Sequence, residues 1–249
     1  MNRFYVPKIN ISSDQITIVE PSDVHHLVRV LRLKTGDKIC VSDGEGVNYE
    51  TRVVSLLRQK VILEIEGKTS SKARNQKKVH ISLGIAVPKN ARFEEIVDKL
   101  TQLGIDTIIP MFTERTLVRK EVFEKRRDRF FRVMFSSAKQ SGVSVLPELR
   151  EGVDFLAFLK NFGAYDICLL PNLLHQSLSL KKAVSLLKAR NRTAKILVLI
   201  GPEGDFTKRE IDLALKAGCR GVSLGESVLR VDTAAIAVAS FLKFSFDNL

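Results

Sequence analysis

With 249 residues the chain can bury a sizeable core, as one large domain or as a small domain followed by a medium one. A hydrophobic share of 45% and a charged share of 27% exclude a disordered chain, and no run approaches the roughly 18 uncharged apolar residues of a membrane span. Forty Lys and Arg against 28 Asp and Glu leave a formal charge of +12, which favours an anionic partner: nucleic acid first, an acidic membrane surface second.

The opening MNRFYVPKIN lacks the apolar centre of a secretion signal, so a cytoplasmic protein is expected. Residues 16–19, 38–42, 49–57 and 61–66 are β-branched runs separated by Gly- and Asp-containing turns, with one helical stretch at 22–33 between them. A small β-barrel of about 65 residues is the economical reading. The polar, basic stretch 67–78, GKTSSKARNQKK, has no apolar periodicity and reads as a linker. The expected domains are therefore 1–70 and 79–249, joined by a basic linker at 71–78.

Beyond the linker the pattern alternates. Residues 79–87, 107–110, 166–170, 195–200 and 221–224 predict strands, and 92–103, 121–139, 177–190, 207–217 and 233–246 predict helices. Phe93, Ile96, Val97, Leu100 and Leu103 mark the buried stripe of the first of these helices. Such alternation predicts an α/β fold with a mainly parallel sheet covered on both faces.

Two segments point to a site. In 196–218 an apolar strand runs into Gly201-Pro202-Glu203-Gly204, after which Thr207 and Glu210 form a capping box and Gly218 ends the helix. The glycines suit either a tight turn or close approach of backbone to a ligand at a strand end. In 222–244 a loop carrying Val228, Leu229, Arg230 and Val231 precedes a helix rich in small residues: Ala234, Ala235, Ala237 and Ala239. That loop either folds onto the core or walls a pocket and aims Arg230 into it.

The remaining signals narrow the chemistry. No GxGxxG, GxxxxGK[ST] or HExxH is present, and His25 and His26 lack a third ligand, so no metal site is expected. Cys40, Cys168 and Cys219 are odd in number and far apart, which fits buried thiols better than disulfides. Arg29 and Arg32 stand three apart and are expected to share a helix face that grips neighbouring phosphates. The basic run at 119–139 reads either as a solvated face or as a second phosphate surface.

GPEG after an apolar strand, LGxxVLRxxTA at 224–234, HxxVRVLRLKxGD at 25–37, KxxRFExIVxKLTxLG at 89–104 and QSG at 140–142 resemble the RsmE family of ribosomal RNA uridine-N3 methyltransferases. The likeness runs over nearly the whole chain, in the family's order. It implies a SPOUT domain with a deep trefoil knot, preceded by a PUA-like β-barrel, in a homodimer acting on 16S ribosomal RNA in the assembled small subunit, with no metal and no membrane. It also implies S-adenosyl-L-methionine held bent by three loops. By matching position these carry Leu170 and Pro171; Leu199, Ile200, Gly201, Pro202, Glu203 and Gly204; and Leu224, Gly225, Val228 and Leu229, followed by Thr233 and Ala234.

Arg3, Arg29, Arg32, Lys89, Arg92, Lys99 and Gln140 are expected on the RNA, and Arg230 is the candidate catalytic residue. A guanidinium near the uracil oxygens would stabilise charge developing on the ring as N3 loses its proton. This chain departs from the family's pattern at Lys139 and Val143, where Glu and Arg are common, at Asp205, where a second Gly is common, and at Val231-Asp232, where Thr-Glu is usual. A binder without catalysis, or a related enzyme acting on transfer RNA or another ring atom, stays open from the residues alone.

Overall fold

The computed structural model describes residues 3–70, 79–89, 92–172, 177–188 and 193–246, which fall into two units. The expected linker at 71–78 lies outside the described residues.

In the first unit the strands are β1 (Arg3–Tyr5), β2 (Gln15–Ile18), β3 (Lys38–Ser42), β4 (Val47–Leu56) and β5 (Val61–Ser70), in the order β1-β3-β4-β5-β2. Only β1 and β3 pair parallel; the other ladders are antiparallel. The register of β4 against β5 shifts twice, at Glu50/Thr51 and Val53/Ser55. Extra residues of this kind bend and twist a strand, so the sheet curls around Phe4, Ile16, Ile18, Leu27, Val41, Val53 and Leu63.

Two expectations need correction here. Residues 67–70 belong to β5, paired with 47–50 of β4; their exposed side chains leave no apolar signal, while the ladder satisfies their backbone. Nor do Arg29 and Arg32 share a helix face. Helix α1 (Pro21–His25) continues as a single π turn (His26–Val30) in which Leu31 N donates to His26 O at 2.9 Å. Arg32 follows outside it with φ 51, the left-handed conformation that ends helices and usually falls to glycine.

Residues 138–146, assigned from sequence to the second domain, group with the first unit. The reason is a set of specific bonds. The Tyr5 hydroxyl donates to Ala138 O at 3.2 Å and to Val143 O, Leu146 N donates to Gly44 O at 2.8 Å, and Lys139 Nζ lies 2.5 Å from the buried carboxylate of Asp23. Lys139, a departure from the family's pattern, thus has a structural partner in α1.

The second unit holds β6 (Val79–Ala86), α2 (Arg92–Gln102), β7 (Thr107–Phe112), α3 (Lys120–Glu124), α4 (Arg127–Ser141, whose last turn groups with the first unit), β8 (Glu148–Leu149), β9 (Val153–Asp154), α5 (Phe155–Phe158) and β10 (Ile167–Pro171). It continues with β11 (Leu178–Ser179), α6 (Leu180–Lys188), β12 (Ala194–Ile200), α7 (Lys208–Lys216), β13 (Cys219–Ser223) and α8 (Val231–Phe246). Every ladder is parallel and the order is β11-β13-β10-β12-β6-β7-β8, with β9 also on β7. The α/β reading holds.

Central strands buried on both faces are near-continuous apolar runs: 196–200 of β12 and Leu83, Ile85 and Ala86 of β6 are all 3% exposed or less. Cys168 and Cys219 face each other across β10 and β13 and are buried, whereas Cys40 is half-buried. The single helix expected at 121–139 is broken between α3 and α4. Its charges are partly engaged within the unit: Arg126 and Arg129 pair with Glu94, and Arg127 donates to Leu149 O and, at 2.9 Å, to Arg150 O.

Candidate active site

Strands β13, β10 and β12 are neighbours, run parallel, and so end on the same edge of the sheet. The segments leaving those ends enclose a cavity of about 110 Å³. Pro171 and Asn172 come from β10, residues 200–203 and Asp205 from β12, and Leu224, Gly225 and 227–229 from β13, with Val231 and Ala234 of α8 completing the wall. Crevices outside the carboxyl ends of parallel strands are the usual ligand sites of such sheets.

Local chemistry fixes each wall. The β12 segment turns at 202–205, with Asp205 N donating to Pro202 O at 2.9 Å. Asp205 takes φ 60, a left-handed conformation that Asp tolerates better than most residues, and its Oδ1 accepts from Phe206 N at 2.7 Å. That accounts for an Asp where the family commonly has Gly. Phe206 is buried beneath the turn against Phe155, with ring centroids 4.8 Å apart. A Cβ on Gly201 would lie 3.0 Å from both the Phe206 ring and Asp205 Oδ1, so only glycine fits without displacement.

The capping box at Thr207 and Glu210 is present, and Glu210 reaches further than its sequence spacing shows. Its fully buried carboxylate accepts from Thr207 N at 2.8 Å and from Glu114 N at 2.9 Å, clamping the segment after β7 to the start of α7. On the β10 side, Asn172 N donates to Val222 O at 3.0 Å, and Asn172 Oδ1 accepts from Ser177 Oγ at 2.5 Å. On the β13 side Gly225 takes φ +118, a region closed to other residues without strain.

Of the residues the resemblance implied for the cofactor, Pro171, Ile200, Gly201, Pro202, Glu203, Leu224, Gly225, Val228, Leu229 and Ala234 line the cavity. Leu170 and Leu199 lie one residue deeper, buried in their strands, and Gly204 and Thr233 are outside the lining. Arg230 is exposed and also outside it, between lining residues Leu229 and Val231; its carbonyl accepts from Ala234 N at 2.8 Å to begin α8. Sequence reasoning missed Asn172 and Asp205 as lining, while Val231 and Ser227 lie in the loop it read as a pocket wall. Asp205 had a signal in its departure from Gly, while Asn172 is placed only by the strand pairing.

The residues implied for RNA are divided between the two units. Arg3, Arg29, Arg32 and Gln140 are in the first unit; Lys89, Arg92 and Lys99 are in the second. Lys99 Nζ pairs with Asp98 at 2.8 Å. Burial acts to raise the Asp98 carboxyl, but hydrogen bonds from Lys99, Ser137 and Gln102 outweigh it and hold the group below its ordinary value. Lys89 N and Arg92 Nη1 both approach Glu203 Oε1, at 3.2 and 3.5 Å. Among the described residues there is no group of three metal-ligating side chains, and no helix is long and apolar enough to cross a membrane.

Comparison with known proteins gives the class. The family model described as the RNA methyltransferase domain matches residues 75–243, and that of the RNA methyltransferase PUA domain matches 19–66. Fold, strand-end cavity and both matches define an RNA methyltransferase with a PUA domain of its own. Ribosomal RNA small subunit methyltransferase E of Synechocystis is 33% identical over 214 residues, 86% of this chain and 68% of that one. The Bacillus subtilis protein of the same name is 24% identical over 100% of this chain and 98% of its own.

The crystal structure of ribosomal RNA small subunit methyltransferase E from Neisseria gonorrhoeae, bound to S-adenosyl methionine, has a TM-score of 0.80 at 25% identity, covering 99% of this chain and 98% of that one. A Legionella pneumophila protein in complex with the bound cofactor SAM gives 0.82 at 26% identity, covering 98% and 97%. The chain belongs to this family, ribosomal RNA small subunit methyltransferase E.

Proposed function

We propose that the chain transfers a methyl group from S-adenosyl-L-methionine to N3 of a uridine in the 16S RNA of the small ribosomal subunit. The observation that carries this reading is the cavity at the ends of β10, β12 and β13, built where the matching methyltransferase fold ends three adjacent parallel strands. Its residues fit the cofactor. Among the described residues two carboxylates, Glu203 and Asp205, and no Lys or Arg line it, which favours a sulfonium cation. Apolar Leu224, Val228 and Leu229 suit an adenine face, and Gly201 leaves backbone open to close approach.

When bound, the cofactor supplies an electrophilic methyl group. The chain's own residues must hold an unpaired uridine in line with it and ease loss of the N3 proton as the new C–N bond forms. Arg230, between two lining residues at the start of α8, stabilises charge on the uracil oxygens. Glu203, which lines the cavity, and Asp232, which follows lining residue Val231, are the candidate carboxylates for the proton, and solvent suffices where neither reaches it. Exposed apolar Val228 and Phe244, at 80% and 66%, support a homodimer, and a ribosomal substrate supports a cytoplasmic site of action.

The deciding experiment incubates the protein with the cofactor and small subunits from a strain lacking this gene, then identifies the methylated nucleoside by mass spectrometry. 3-Methyluridine is expected. Methylation at another ring atom, or none while transfer RNA is modified, refutes the reading.

A further inference from the structure

We propose that Lys89, Arg92, Arg115 and Leu117 form a subsite for one backbone phosphate of the substrate RNA, and that Glu203 stands in for that phosphate until RNA arrives. The inference rests on the RNA methyltransferase reading above and adds to it a residue, Arg115, that no sequence motif singled out.

These residues line a second cleft beside the cofactor cavity, and Glu203 lines both. Arg115 projects from a rigid support. Thr113 N donates to Thr116 Oγ1 at 3.0 Å, Thr116 N donates to Thr113 O at 3.0 Å, and Glu114 N is fixed by the buried carboxylate of Glu210. From there Arg115 Nη1 donates to Gly204 O and reaches Asp205 O at 3.5 Å. A guanidinium carries five N–H donors in a planar fork, and the hydrogen bonds described for Arg115 all run from Nη1. Its remaining edge suits a bidentate phosphate contact.

The balance of charge points the same way. Three cationic residues and one carboxylate line the cleft, so it keeps a formal surplus of positive charge with Glu203 in place. The Arg92–Glu203 approach of 3.5 Å is long for a charge-assisted bond, which typically closes to about 2.7–2.9 Å. A phosphate offers more charge and better oxygen geometry than this carboxylate and would displace it. Leu117, 68% exposed beside the cations, gives an apolar surface for a ribose or base next to that phosphate. A nucleotide anchored here would lie one residue's width from the cofactor cavity, since Glu203 forms the wall between them.

The test measures binding of fluorescein-labelled, unmodified 16S RNA transcript by anisotropy across a salt series, with cofactor affinity of each variant followed by calorimetry. Arg115→Ala is expected to weaken RNA binding about tenfold, as loss of one charge-assisted contact does. It should also lower the slope of log affinity against log salt by about 0.7–0.9. Arg115→Lys should retain the slope because it retains the charge. Glu203→Gln should move affinity the other way, tightening RNA binding by removing the competing anion.

An Arg115→Ala protein with the wild-type salt slope overturns the subsite. So does one that loses cofactor binding, since Arg115 would then be a strut for the 202–205 turn. Glu203→Gln weakening RNA binding overturns the stand-in role. Failure of the methylation reading would appear separately, as a wild-type protein that binds the transcript and modifies no uridine.

Discussion

Gly201 and Gly204 sit three residues apart in one turn, and a single added methyl group should act on them with opposite sign. At Gly201 the new Cβ would lie 3.0 Å from Phe206 Cδ2, 3.2 Å from Phe206 Cε2 and 3.0 Å from Asp205 Oδ1. Phe206 has little room to yield, being 3% exposed and packed on Phe155. Overpacking of this kind costs about 1–3 kcal/mol. A Gly→Ala change also restricts the unfolded chain, which offsets about 0.4–1 kcal/mol of that. The net loss is about 1 kcal/mol, or a fall in Tm of roughly 2–4 °C for a chain of this size.

At Gly204 the Cβ meets only Arg115 Cδ at 3.4 Å, an ordinary contact with a flexible side chain. Gly204→Ala should therefore be neutral or stabilising by up to about 1 kcal/mol. Cofactor binding should separate the two in the same sense. Gly201 lines the cavity and Gly204 does not, so Gly201→Ala should weaken binding at least tenfold, on the order of 1.4 kcal/mol, and Gly204→Ala should leave it unchanged. Calorimetric unfolding with a cofactor titration on each variant measures both effects. Tm shifts of equal sign, or a Gly204→Ala protein that loses the cofactor while Gly201→Ala keeps it, would refute the assignment of this turn.

Arg230→Ala should lower the single-turnover methylation rate about 100- to 1,000-fold at saturating RNA and cofactor, with Lys restoring little; an unchanged rate would limit Arg230 to binding. Separate and joint replacement of Lys139 and Asp23 by Ala should give a coupling of about 1.5–3 kcal/mol in urea unfolding, because Asp23 is buried and its partner charged; additive losses would deny the pair a role. For Asp98 the folded carboxyl lies below its ordinary value, so its stabilisation is complete above about pH 4 and is lost as pH falls through the folded value. Asp98→Asn should flatten that acid limb of the urea midpoint, and an unaltered limb would place acid sensitivity elsewhere.

What the sequence disclosed was local. The Thr207–Glu210 capping box spans one helical turn, and the apolar run at 196–200 lies within one strand, so both were legible. The second role of Glu210 was not, because Glu114 is 96 residues away and meets it only through the parallel order of the sheet. Strands β8, β9 and β11 have two residues each, too few to show alternation. The RVLR spacing of Arg29 and Arg32 assumed a regular helix, and a π turn followed by one left-handed residue undoes that assumption. Lys139 and Asp23, 116 positions apart, carry no local sign of their pairing.

The charge distribution at the site follows from the two substrates that the proposed reaction must hold together. A sulfonium donor is cationic and an RNA acceptor is a polyanion, so a single surface of either sign would repel one of them. Among the described residues the cavity at the ends of β10, β12 and β13 is lined by two carboxylates and no Lys or Arg; the adjoining cleft carries Lys89, Arg92 and Arg115. Glu203 is the residue common to both, and it follows the one glycine in the turn whose Cβ would collide with the core. Its backbone lies in the turn closed by the Asp205 N to Pro202 O bond and gripped by the Arg115 contact to Gly204. A carboxylate held there attracts the cofactor on one face and is the group that RNA must displace on the other. On this account donor and acceptor binding are coupled through Glu203, and Glu203→Gln should weaken the cofactor while it tightens RNA. A change of the same sign in both affinities would show that the two pockets do not communicate through this side chain.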